Sequence, residues 1–187
     1  MGGGPQSSGH APLSLAADPG LAADLYRAAH LTGSFVLRSG QTSGEYFDKY
    51  RFESDPQLLK RLAARMAALV PPDTDVLAGI ELGGVPLATA ISLQTGVPAV
   101  FVRKARKTYG TCLAVEGGEI TGRRICAIED VISTGGAVVD AAVFIREAGG
   151  VLSSVVCAVW RGPLPASITD LPGLPVAAAF LQSELNP

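Results

Sequence analysis

Glu129 and Asp130 are adjacent carboxylates that stand two residues, Val131 and Ile132, ahead of the run Ser133, Thr134, Gly135, Gly136 and Ala137. The small residues of that run open a helical pattern, and free backbone N–H groups at a helix start form a cradle for phosphate. Carboxylates repel phosphate, so the acidic pair needs another partner. Sugar hydroxyls donating to it, or a divalent cation held through water, both meet that need. A second cluster, Arg103, Lys104, Arg106 and Lys107, packs four cations into five residues and runs into the glycine-bearing stretch 108–119. Long loops inside compact domains are often lids over active sites, and this one carries the charge to meet an anion. Its other readings are a solvated charge run or a nucleic-acid patch. For the acidic motif, the plainer reading is a strand, turn and helix with a solvated acidic pair.

Other chemistries fit poorly. His10 lies near the start of the chain and His30 at the end of a helical pattern, which leaves no nucleophile, histidine and carboxylate set. Cys112, Cys126 and Cys157 are odd in number and lack metal-ligand spacing; Cys126 and Cys157 sit in apolar runs and read as buried free thiols. The net charge of −2 provides no overall attraction to nucleic acid or anionic membrane, so an anion site must be local. Residues 1–20 read as a flexible tail without the basic start and apolar core of a secretory leader, which predicts a cytoplasmic protein. No apolar run approaches the roughly 18 residues of a spanning helix. The 187 residues suit one domain, here taken as 21–187.

Alternating strands and helices must position these groups. A helical pattern covers 21–30, and strand, turn and strand follow to Asp48, too short to fold alone and therefore a flap on the main sheet. Asp55 and Pro56 supply an N-cap and a first helical residue for a helix running to about Leu69. Val76–Ile80 is a buried strand, and Glu81, Leu82, Gly83 and Gly84 turn it into a helix ending near Gly96, with glycines that allow close backbone approach to a ligand. Residues 98–102 and 125–128 are strands, 136–148 a helix, 151–159 a strand delivering Trp160 and Arg161, and 176–180 a final strand. The fold expected is three-layer α/β with a mostly parallel central sheet.

The segment from Ile128 to Ala137 resembles the phosphoribosyl pyrophosphate (PRPP) signature of the type I phosphoribosyltransferases. The stretch 103–110 is similar to the mobile-loop motif of the orotate phosphoribosyltransferases within that family, and the resemblance runs from about residue 21 to 161. It implies a small N-terminal hood, drawn mainly from 21–55, on the type I fold. It also implies transfer of phosphoribosyl from PRPP to orotate in pyrimidine biosynthesis, giving orotidine 5′-monophosphate and pyrophosphate. Lys107, Arg103, Lys104 and Asp130 would be catalytic. PRPP would be bound by Leu82, Gly83, Arg103, Lys104, Lys107 and Tyr109 together with Glu129, Asp130, Val131, Ile132 and the run 133–137. Orotate would lie among Arg38, Tyr46, Phe47, Ser133 and Arg161. Arg38 stands where lysine is common and Tyr109 where histidine is common; tyrosine donates a hydrogen bond but adds no positive charge at neutral pH. Mg²⁺ would be carried by PRPP, with water between it and Glu129 or Asp130, and no residue would bind it directly. Family members are typically homodimers whose loop reaches the neighbouring site. A phosphoribosyltransferase for another base, or a PRPP-sensing regulator, would share the PRPP motif.

Overall fold

A computed structural model describes residues 17–37, 39–108, 110 and 113–185. The expected tail lies outside these residues but for its last four, and Arg38, Tyr109 and Cys112 are outside as well. Helix α1 (Pro19–Ala29) begins two residues before the predicted start because Asp18 caps it, accepting from the Leu21 amide at 2.9 Å. Strands β1 (His30–Val36) and β2 (Thr42–Phe47) pair antiparallel as a two-stranded sheet of their own, without ladder bonds to the main sheet. A short helix α2 (Tyr50–Glu53), absent from the sequence reading, joins this hood to α3 (Pro56–Ala67). The capping expected of Asp55 is present: its carboxylate accepts from the amides of Gln57 and Leu58 at 2.8 and 3.1 Å.

The remaining elements are β3 (Val76–Ile80), α4 (Gly84–Thr95), β4 (Ala99–Val102), β5 (Val115–Glu116), β6 (Arg124–Ile132), α5 (Gly136–Glu147), β7 (Val151–Trp160), β8 (Val176–Leu181) and α6 (Gln182–Leu185). The six-stranded sheet runs β5-β4-β3-β6-β7-β8, parallel throughout except at β5. Val76–Ile80 is buried along its whole length, as a strand covered on both faces must be. One face packs against α1, α3 and α4 through Leu77, Cys126, Ile128 and Val156. The other packs against α5 through Ala78, Ile125 and Ala127, which completes the three layers. Among the described residues no helix is long and apolar enough to cross a membrane.

The strand order decides where a ligand goes. From β3 the chain crosses to β4 on one side, and β6 then returns to the other side of β3. Helices leaving neighbouring strands in opposite directions open a crevice at their carboxyl ends, and here that crevice lies between β3 and β6.

Candidate active site

Both edges of this crevice are backbone held close to side chains. The Glu81–Leu82 peptide is cis, and Gly83 follows it as the N-cap of α4. A Cβ on Gly83 would overlap the Asp130 carboxylate and lie 2.9 Å from Glu53 Oε1. Gly84 is as tightly placed, since a Cβ there would overlap the Ile128 carbonyl. The two glycines thus bring the β3 turn onto the acidic strand with no room for a methyl group. Leu82 projects outward at 60% exposure, leaving the backbone of this turn as its polar surface. Across the crevice, Gly135 adopts φ +86° as the N-cap of α5 and has no side-chain cap. The first amides of a helix have no partner within it, and those around Ser133, Thr134, Gly136 and Ala137 are available to an anion.

Glu129 and Asp130 lie inside β6, which runs past the expected strand end at Ile128, and both are buried. Val131 and Ile132 complete the strand beyond them, and the Val131 amide donates to Asp130 Oδ1. Asp130 is fully buried, and its Oδ2 meets Lys49 Nζ at 2.6 Å in a charge contact rather than an aligned hydrogen bond. Glu53 joins them from α2, so three carboxylates face one ammonium. Burial first, and the charge of Asp130 second, push Glu53 up to about 8 and Glu129 up to about 9. For Lys49, burial pulls downward, and the Asp130 carboxylate reverses this to a net rise. Glu53 Oε1 and Glu129 Oε2 are buried without a hydrogen-bond partner. Such atoms are costly to leave unpaired, and they mark a surface built for donors that the protein itself does not supply.

The cationic stretch leaves the carboxyl end of β4. The Lys104 amide donates to Glu81 Oε2 at 2.7 Å, tying the start of the stretch to the β3 turn. Arg103 is half-buried, with Nε unpartnered, while Arg106 pairs with Glu147 of α5. Lys107 Nζ lies 2.5 Å from Glu116 Oε1 on the edge strand β5. The structure therefore brings Lys104 to the crevice wall and leaves Lys107 at rest on a carboxylate outside it.

The hood contributes Phe47 and Tyr46. The Arg161 guanidinium sits over the Phe47 ring at 5.2 Å, and its Nε donates to Gln182 Oε1 at 2.7 Å. Burial lowers the pKa of Arg161 from its usual value. Tyr46 is 44% exposed and stacks on Phe35 at 5.4 Å, so it lines the hood and does not enter a core. Lys49, Glu53 and Gln182 were missed by sequence reasoning. Lys49 and Glu53 carried a signal, four residues apart on one helical face between the aromatic pair and the Asp55 cap. Gln182 carried none.

Residues 54–167 match the family model described as the phosphoribosyl transferase domain. An orotate phosphoribosyltransferase of Nocardioides sp. is 52% identical over 169 residues, 90% of this chain and 94% of that protein. The chain belongs to the orotate phosphoribosyltransferase family. Among solved structures, the orotate phosphoribosyltransferase of Mycobacterium tuberculosis in complex with Fe(III) dicitrate superposes with a TM-score of 0.79 at 28% identity, covering 90% of this chain and 98% of that one. The same enzyme in complex with PRPP gives 0.74 at 27% identity over 90% and 98%. Within this phosphoribosyltransferase, the matched segment holds the β3 turn, the cationic stretch, the acidic pair and Arg161, whereas Lys49 stands just before it. No group of three or more histidine, cysteine, aspartate or glutamate side chains is arranged to hold a metal among the described residues. The unpartnered Glu129 oxygen fits a hydrated cation that arrives on a substrate, since Mg²⁺ usually keeps several waters and takes few protein ligands.

Proposed function

We propose that the crevice binds PRPP and orotate and transfers the phosphoribosyl group to the ring nitrogen of orotate, releasing pyrophosphate and forming orotidine 5′-monophosphate for pyrimidine biosynthesis. The observation that carries this reading is the meeting of Asp130 with the Gly83 backbone at the switch point of the sheet, beside an open helix start. The helix start at 133–137 receives the 5′-phosphate. Glu129 and Asp130 accept from the ribose hydroxyls and face the positive charge that develops on the sugar carbon as pyrophosphate departs. The backbone of Leu82 and Gly83 meets the pyrophosphate. Orotate lies between the hood and Arg161, whose planar fork matches a ring edge of carbonyl and carboxylate acceptors. Arg38 and Tyr109 belong to the same reading and lie outside the described residues.

Lys107 closes over the leaving group with Arg103 and Lys104, spreading its charge and excluding water. To do so it must leave Glu116, its present partner. Mg²⁺ bound to PRPP would offset charge on the diphosphate oxygens, with Glu129 and Asp130 reaching it through water. The working form is a cytoplasmic homodimer in which the loop of each chain serves its neighbour.

Orotate absorbance followed on mixing the protein with orotate, PRPP and Mg²⁺, with each component omitted in turn and the product weighed by mass spectrometry, tests the reaction. Orotate should disappear only from the complete mixture. Persistence of orotate while calorimetry still records PRPP binding would keep the phosphoribosyl site and reject the base. In the same assay Lys107→Ala should lower turnover by about 100-fold or more and PRPP affinity far less, and equal losses would remove Lys107 from its role.

A further inference from the structure

Among the described residues, Lys49 is the cation whose ammonium pairs with the Asp130 carboxylate. It precedes α2, and its Nζ reaches 2.6 Å from the Oδ2 of a fully buried aspartate while its own side chain keeps 31% exposure. Asp130 is wedged on its other sides. Gly83 lies so close that a methyl there would overlap the carboxylate, and the Val131 amide holds the second oxygen. Glu53 and Glu129 each bring a further acidic group, with Glu53 Oε1 and Glu129 Oε2 buried and unpartnered. Three carboxylates cannot share so small a space in ionised form without a counter-charge.

We propose that Lys49 is a positioning residue for phosphoribosyl transfer, fixing the Asp130 carboxylate in the direction of the ribose. The inference rests on the transfer reading above and adds to it a residue outside the PRPP signature. Lys49 acts through Asp130 and does not itself handle the reacting atoms. Its loss leaves the site's shape, since Gly83 and β6 are untouched, but lets the Asp130 carboxylate turn away from the ribose. The charge it offers the sugar in the transition state is then misplaced. Ground-state binding of PRPP depends more on the 133–137 turn and the Gly83 backbone and should change little.

The test is steady-state kinetics on the full-length protein with Lys49→Met and Lys49→Arg, alongside thermal melts. Lys49→Met should lower kcat on the order of 10- to 100-fold, with KM for both PRPP and orotate within about threefold of wild type. Lys49→Arg should recover most of kcat because the charge is restored. A kcat for Lys49→Met within about threefold of wild type overturns the proposal, as does a loss confined to KM. If Lys49→Met does not fold, Lys49→Arg is compared with Lys49→Gln, and equal turnover in those two overturns it. An inactive wild type would overturn the reaction and this inference together, whereas an active wild type with a silent Lys49 overturns the inference alone.

Discussion

A single methyl group at position 83 would be enough to separate the two halves of the site. A Cβ there overlaps the Asp130 carboxylate, which is fully buried and cannot retreat, so either the β3 turn or β6 must move. Gly83→Ala should therefore lower kcat/KM for PRPP by about 100-fold, since displacements near 1 Å suffice for losses of that order. Kinetics near wild type in a folded Gly83→Ala protein would show that the turn and the acid do not work together. Glu53 gives a second prediction, of pH dependence. Its carboxyl is pushed up to about 8 and that of Glu129 up to about 9, from a usual 4.5, so the folded chain holds protons that the unfolded chain has already released. Stability from these groups is fully present below about pH 4.5 and is lost as pH rises toward 8 and 9. Glu53→Gln is neutral throughout. Its melting temperature should fall less steeply than that of wild type between about pH 6 and pH 9, and parallel curves would show that Glu53 is not the group taking the proton.

Elements determine which of these residues meet, and Arg161 depends on three of them. It leaves the end of β7, lies over Phe47 of the hood, and is held by Gln182 where β8 passes into α6. Gln182→Ala should free the guanidinium and raise KM for orotate by about three- to tenfold while leaving KM for PRPP unchanged. Equal changes for both substrates would mean that α6 supports the whole crevice and not the base alone. The same geometry explains what could be read in advance. β3, β6 and β7 are legible because strands buried on both faces must be continuously apolar, and α3 because Asp55 and Pro56 announce its start. The acidic pair and glycine turn stand out because no strand or helix periodicity demands residues of those types at that spacing. The hood was legible as a hairpin but not as a separate sheet, since ladder partners of high sequence separation leave no local mark. α2 was hidden by its length, one turn being too short for an apolar period to show. With α2 went Lys49 and Glu53, which the fold sets against Asp130, 81 and 77 residues further along the chain.

At the scale of the molecule, the position of the loop bears on how many chains a site requires. In the order β5-β4-β3-β6, Lys107 rests against Glu116 on the edge strand β5, while Asp130 lies in β6 on the far side of β4 and β3. Arg106 is drawn to Glu147, away from the crevice, so the cationic stretch of a single chain is spread along its own sheet edge and α5. In the proposed homodimer each loop instead completes the neighbour's crevice, and this has an arithmetic consequence. Lys107→Ala retains an intact acidic pocket, and Asp130→Asn retains an intact loop. A hybrid of the two contains one site with both parts intact and one with neither. Subunits exchanged at equal concentration give hybrids in half of the dimers, so mixing two nearly inactive proteins should restore about a quarter of wild-type activity. Sites completed within one chain would give no recovery, because each would then lack either Lys107 or Asp130. Exchange is verified by mass spectrometry of tagged subunits before the assay, and activity that stays at the sum of the two variants under proven exchange would assign the loop to its own chain.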